Sequence, residues 1–129
     1  MAKICKMLNI SVKNEPGRLA KVSGSLKDAG IDICAVAGWV EGDTGKMMLC
    51  TDDPEKACGV LSDVVDNCGF VDGVCVEVDN QVGALAGIAE KIAEAGINIT
   101  SIHASPGDAE KATIVLRSEN NEKLAEILD

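Results

Sequence analysis

Aromatic side chains are nearly missing: Trp39 and Phe70 make up the class, and there is no tyrosine. A platform for stacking nucleic-acid bases is therefore excluded. Basic residues are scarce as well. Twelve Lys and Arg stand against 21 Asp and Glu, a net charge of −9 with an isoelectric point near 4.5. Nucleic acid and anionic membrane surfaces bind through clustered cations, so both are disfavoured as partners. One histidine, His103, rules out a multi-histidine metal centre. Apolar runs are short, and none approaches the ~18–20 residues of a membrane span. The opening MAKICKMLNISVKNEPG has no signal-peptide core or cleavage pattern, which predicts a cytoplasmic protein.

Cysteine is not scarce. Cys5, Cys34, Cys50, Cys58, Cys68 and Cys75 could form a disulfide framework, but that reading requires secretion. No two of them form a CxxC pair, so zinc-ribbon and thioredoxin-like sites are excluded. They are read as buried, reduced, structural thiols. Motifs of catalysis are absent too: there is no GxGxxG and no GxSxG. GDTGK at 42–46 lacks phosphate-loop spacing, and Met47 stands where a magnesium-binding hydroxyl belongs, so it predicts a hairpin turn. No nucleophile–base pair or metal cluster emerges. The chain is read as a non-enzyme, without catalytic residues, metal or cofactor. Trp39 is assigned to packing rather than to a pocket wall.

The 129 residues, 47% hydrophobic, suffice for a packed core. They also repeat. A shift of 66 positions lays VKNEPGRLA (12–20) over VDNQVGALA (78–86), and AGIDI (29–33) over AGINI (95–99). Nine of the 22 positions from 12 to 33 are identical, where chance gives roughly one or two. One further inserted residue aligns DDPEKACGVL (52–61) with ENNEKLAEIL (119–128), Glu-Lys included. The chain is a duplication, with units expected at 1–72 and 73–129.

Each copy predicts the same elements. An alternating strand (7–12; 74–78) meets a polar turn containing Gly17 or Gly83. Apolar residues at helical spacing follow: Leu19, Val22, Leu26 and Ala29, then Leu85, Ile88, Ile92 and Ala95. Gly30 and Gly96 suit helix ends. β-rich runs (31–40; 97–105), turns (42–45; 106–108) and further strands (46–51; 112–117) come next. Asp53-Pro54 opens a second helix with Ala57, Leu61, Val64 and Cys68 on its apolar side. Gly69–Val71 offers a closing strand before an Asp72-Gly73 turn. The order β-α-β-β-α-β predicts an α+β, ferredoxin-like unit with two helices on an antiparallel sheet. The second copy stops before its last strand. Its first strand, around Val74–Val78, is then expected to expose an edge for a swapped strand or a second chain, hence a homodimer.

The strand-to-helix turns, NEPG (14–17) and NQVG (80–83), carry the chemistry. A helix start leaves amide N–H groups without internal partners, and with the helix dipole they suit a carboxylate. Asp32 and Asn98, just after the first helix of each copy, were positions from which an ammonium group could be held. On spacing alone, Asn14 and Asn80 could equally serve only as helix caps.

The pattern N-x-P-G-x-L-A followed by A-G-I-D/N-I resembles the ACT domain, a βαββαβ module that senses amino acids, and two copies cover essentially the whole chain. The resemblance implies two ACT units in tandem, the second lacking its last strand, with ligands bound at interfaces between units. Carried over by motif, the ligand-binding positions are Asn14, Glu15, Pro16, Gly17, Arg18 and Asp32 in the first copy. In the second they are Asn80, Gln81, Val82, Gly83, Ala84 and Asn98. Val82 replaces the motif proline, and Asp32 stands where asparagine is usual. The function implied is non-catalytic regulation by an amino acid. The alternative is an interaction subunit of an amino-acid biosynthetic enzyme with a vestigial pocket.

Overall fold

A computed structural model of the chain describes residues 2–105 and 110–129. The described elements run β1 (Ala2–Lys13), α1 (Arg18–Asp28), β2 (Ile33–Glu41), β3 (Thr44–Thr51), α2 (Pro54–Leu61) and β4 (Asn67–Asp79). Then come α3 (Ala84–Glu94), β5 (Ile99–Ser105), β6 (Lys111–Ser118) and α4 (Asn121–Leu128). The turn expected at 106–108 lies outside the described residues. The chain forms two compact units: Lys6–Val71, and Asp72–Asp129 together with Met1–Cys5. No described helix is long and apolar enough to cross a membrane.

In the first unit the strand order is β2-β3-β1-β4. Antiparallel register sets Leu8 opposite Leu49, Ile10 opposite Met47 and Val12 opposite Gly45. Because side chains alternate along a strand, these residues share one face. Helices α1 and α2 cover that face with Val22, Leu26, Ala57 and Leu61, and all of these are buried in one apolar cluster. The second unit repeats the plan in the order β1-β4-β6-β5. Val74 and Val76 oppose Leu116 and Ile114, and Ile88, Ile92, Leu124 and Leu128 close over them.

The helices end as their sequence predicts. Gly30 (φ 73°) and Gly96 (φ 69°) are left-handed. Their N–H groups donate to Lys27 O and Ala93 O, both at 3.0 Å, while Ile31 and Ile97 donate to Leu26 O (2.9 Å) and Ile92 O (3.3 Å). This paired pattern satisfies carbonyls that a helix end leaves open. The repeated Glu-Lys finds its physical reason in the same place. Lys56 Nζ donates to Ala29 O at 3.1 Å, and Lys123 Nζ to Ala95 O at 3.3 Å. In each unit a lysine of the second helix thus meets the negative end of the first. Asp53 and Asn120 cap the second helices, accepting from Lys56 N and Lys123 N.

Four expectations are corrected. Helix α2 stops at Leu61, where Ser62 N–H turns back to Gly59 O; Val64 sits in a turn and Cys68 in β4, although both still pack on the core. Leu19 and Leu85, assigned to the buried stripe, are 59% and 51% exposed. There is no turn at Asp72-Gly73, and β4 runs unbroken from Asn67 to Asp79. A hairpin turn requires its two strands to fold back on one another, whereas β4 has β1 as its neighbour. The exposed edge expected at Val74–Val78 is likewise not found. In the sheet, β4 lies between β1 and β6. Ala2 packs on the second core, and its N–H donates to Asp129 Oδ1 at 3.2 Å.

Deleting residues 1–5 should strip β4 of that neighbour and speed hydrogen exchange at Val74–Val78 more than at Leu8–Val12. Unchanged protection at Val74–Val78 contradicts this placement of the amino terminus. Leu124→Ala, which empties a fully buried site, should cost about 2–5 kcal/mol in denaturant unfolding.

Candidate functional site

The two strand-to-helix turns share the backbone bonds that enter them. Asn14 N–H donates to Asp43 O (3.0 Å) and Asn80 N–H to Glu110 O (2.8 Å). Glu15 and Gln81 then donate back to Lys13 O and Asp79 O, each at 3.0 Å. Gly17 (φ 88°) and Gly83 (φ 87°) occupy the N-cap positions of α1 and α3, and neither helix has a side-chain cap. The capping role open to Asn14 and Asn80 is therefore not taken. Ala84 N–H donates to Gln81 O at 3.2 Å; the other first-turn amides lie beside the positive end of the dipole.

Each turn opens onto a cavity within its own unit. In the first, about 460 Å³ is lined by Asn14, Glu15, Arg18, Leu19, Trp39 and Lys46, with Val36, Gly38 and Val40 of β2 on the floor. In the second, about 390 Å³ is lined by Asn80, Gln81, Gly83, Ala84, Leu85, Ala104 and Ala112. A 66-residue shift around the turns, and one of 67 from β3 to β6, make the comparison direct. Arg18 corresponds to Ala84, Glu15 to Gln81 and, by strand register, Lys46 to Thr113. Only the first of these two cavities keeps cations at those positions.

Both cations are held in place. Arg18 pairs with Glu15 and donates from Nη1 to Val64 O at 3.5 Å. Lys46 Nζ donates to Ser11 Oγ at 3.0 Å, its register partner across β1 and β3. The hydrogen bond from Arg18 and its charge hold the Glu15 carboxyl below the usual value. Trp39, expected in packing, is 44% exposed on this cavity. Sequence reasoning passed over Lys46, and the one signal for it was its alternation with the buried Met47.

Asp32 and Asn98 stand elsewhere within their units. Lys13 opposes Thr44 while Ile33 opposes Thr51, so the 14–17 turn and Asp32 lie at opposite ends of β3. Eight strand residues separate those ends, roughly 25 Å. Asp32 N–H donates to Asp52 Oδ1 at 3.1 Å, and Asn98 Nδ2 to Glu119 Oε1 at 3.5 Å. Pro16 and Val82 are exposed at their turn tips. The cysteine reading also changes, for Cys58 and Cys68 form a disulfide with Cα atoms 5.9 Å apart. The helix end and the strand start that carry them are packed on one core, which brings the two thiols together.

His103, on β5, has Nε2 buried without a hydrogen-bond partner. Burial lowers its pKa from 6.5, partly offset by Cys75. The unfolded chain then binds the proton more tightly, so stability present above that value is lost as pH falls through it. His103→Gln should flatten the fall in melting temperature between pH 7.5 and 5.5; an identical fall in both proteins removes the assignment. At Gly17 and Gly83 an added Cβ meets nothing within 4 Å, so the cost of valine is backbone strain alone. Gly17→Val and Gly83→Val should each lose about 1–3 kcal/mol in unfolding experiments.

Comparison with known proteins agrees with this architecture. A family model described as an ACT domain pair matches residues 3–128. A Bacteroides thetaiotaomicron protein of solved structure superposes with a TM-score of 0.89 at 28% identity, covering 98% of this chain and 88% of its own. The Thermus thermophilus regulatory subunit of aspartate kinase, in its ligand-free form, gives 0.68 at 19% identity, with coverage of 98% and 93%. A structure of aspartokinase α and β subunits gives 0.67 at 20% identity, again with 98% and 93%. These last two likenesses establish the fold. No curated protein sequence matches the chain. With the duplicated turn, the two-helix units and the match over residues 3–128, the chain belongs to the ACT domain pair family.

Proposed function

We propose that this protein is a non-catalytic regulator that binds a small carboxylate ligand, an amino acid, in the cavity of its first unit. One observation carries the reading: an uncapped helix start and Arg18 border one cavity of about 460 Å³. The amides and Arg18 suit a carboxylate. Leu19, Val36 and Val40 suit the ligand's carbon skeleton. The likeness to the aspartate kinase regulatory subunit supports a regulatory role. The second cavity keeps the turn but has Ala84 where the first has Arg18, which suits an architectural part.

Ligand occupancy stabilises the folded form by mass action and couples to any assembly that shares the site. Within one unit Asp32 is remote from the turn of that unit, and association with a second copy of the chain is the proposed route by which it reaches a ligand. The outermost strand of the first unit, β2, exposes Val36 and Val40 at 51% and 55%, a surface suited to such a homodimer. The association proposed is with a target enzyme and with itself, not with nucleic acid or membrane.

Thermal-shift measurements across the twenty amino acids test the reading. Stabilisation of several degrees by one of them is expected. Silence across the set favours an interaction subunit with a vestigial pocket. For an amino acid that binds, Arg18→Ala should reduce affinity about tenfold or more, since hydrogen bonds to charged groups contribute ~1.5–3 kcal/mol. Gln81→Ala should leave it unchanged. Equal losses from Gln81→Ala and Arg18→Ala would falsify a site confined to the first unit. Light scattering should report twice the chain mass; a monomer at high micromolar concentration removes the homodimer.

A further inference from the structure

The Cys58–Cys68 disulfide encloses the turn that holds Arg18. Cys58 lies on the last helical turn of α2 and Cys68 is the second residue of β4, ten positions on. Between them the backbone is folded tightly. Val64 and Val65 N–H groups donate to Leu61 O at 2.9 and 3.0 Å, and Asp66 N–H donates to Ser11 O at 2.9 Å. The carbonyl of Val64 faces away from this knot and accepts from Arg18 Nη1. Arg18 and Val64 also line one depression beside Lys21, Ser25 and Asp63 on the outer side of α1. The arginine thus bridges two places, with its other contact, Glu15, on the rim of the ligand cavity.

We propose that this disulfide is a reversible clasp that sets the placement of Arg18 and thereby tunes the first unit's cavity to thiol–disulfide conditions. The proposal deepens the ligand reading above and rests on it for the affinity effect. Both cysteines are half-buried rather than sealed in the core, so an incoming thiolate has access. The chemistry is two-electron exchange. A thiolate of a small dithiol attacks one sulfur and forms a mixed disulfide, releasing the other cysteine as a thiolate. The second thiol of the reductant then resolves it. Cys58 and Cys68 end as thiols having gained two electrons and two protons, and the dithiol ends as its disulfide. With the cross-link cut, residues 59–67 recover chain freedom that the loop denied them. The Val64 carbonyl then loses its fixed position, and Arg18 retains only the Glu15 side chain, which sits on the exposed turn.

The second unit has no such clasp. Ala125 stands where Cys58 maps, so this unit lacks the first of the two cysteines. The effect of the clasp should therefore be confined to the first unit, whereas the lysine–carbonyl contacts common to both units do not depend on it.

The test uses the whole chain, oxidised with a glutathione couple or reduced with dithiothreitol. Two readouts need no ligand: the Arg18 side-chain Nε resonance, and hydrogen exchange at Val64–Asp66. Reduction should shift the resonance and speed exchange at those amides by roughly tenfold or more, leaving α3 unchanged. The Cys58→Ser/Cys68→Ser double variant should show the reduced values under both conditions. L-Glutamate, which offers a carboxylate to Arg18, is the binding probe, and its affinity should fall severalfold on reduction. Equal Arg18 resonances and exchange rates in the two states overturn the clasp. So does full alkylation of both cysteines in protein never exposed to reductant. A moving Arg18 with constant glutamate affinity overturns the link to the cavity. No glutamate binding in either state overturns the affinity effect, while the Arg18 resonance still decides the clasp.

Discussion

A glycine held near φ +88° at the start of the first helix of each unit is the feature on which the candidate site depends. Left-handed backbone costs residues with a Cβ about 1–2 kcal/mol and glycine almost nothing. Gly17 and Gly83 turn the chain sharply from strand into helix, and neither helix start carries a side-chain cap. Polar backbone groups at an uncapped, exposed helix start look outward for partners. That makes a carboxylate site available to a protein whose net charge is −9, without a broad cationic surface. Arg18 then adds charge at the first of the two cavities.

The paired units show what duplication preserved and what it released. Preserved are the contacts that hold a small unit together: the buried strand faces, the glycine-ended first helices and the lysine that joins the second helix to the first. A unit of this size buries proportionally little surface, so losing a few kcal/mol threatens the fold. Released are the residues around the turns, which bear little load. Arg18 faces Ala84 in the alignment, and Lys46 faces Thr113. Half-buried and exposed side chains change at small cost in stability, so one cavity could gain or lose charge while the other kept its shape.

The two cores were legible because burial imposes period 2 on strands and about 3.6 on helices. Val22 and Leu26, and Ile88 and Ile92, are buried where their spacing placed them. Periodicity overreached at helix ends. Leu19 keeps the spacing of the stripe yet lies exposed, because it precedes the part of the helix that covers the sheet. Val64 and Cys68 continue the spacing of α2 after the helix has ended, since a tight turn can also deliver side chains to a core.

The sequence by itself determined the duplication, the ferredoxin-like order of elements and the special turns, because each rests on interactions among residues near in the chain. Only the tertiary structure decided what is adjacent across long separations. It set Ala2 against Asp129, made 67–79 one strand and joined Cys58 to Cys68. It also brought Lys46 to the turn at 14–18 while leaving Asp32 at the far end of the sheet. The physical reason is strand register. Pairing places residues far apart in sequence side by side at a spacing of about 5 Å, and no local pattern around Lys46 or Asp32 records which end of the sheet each will occupy.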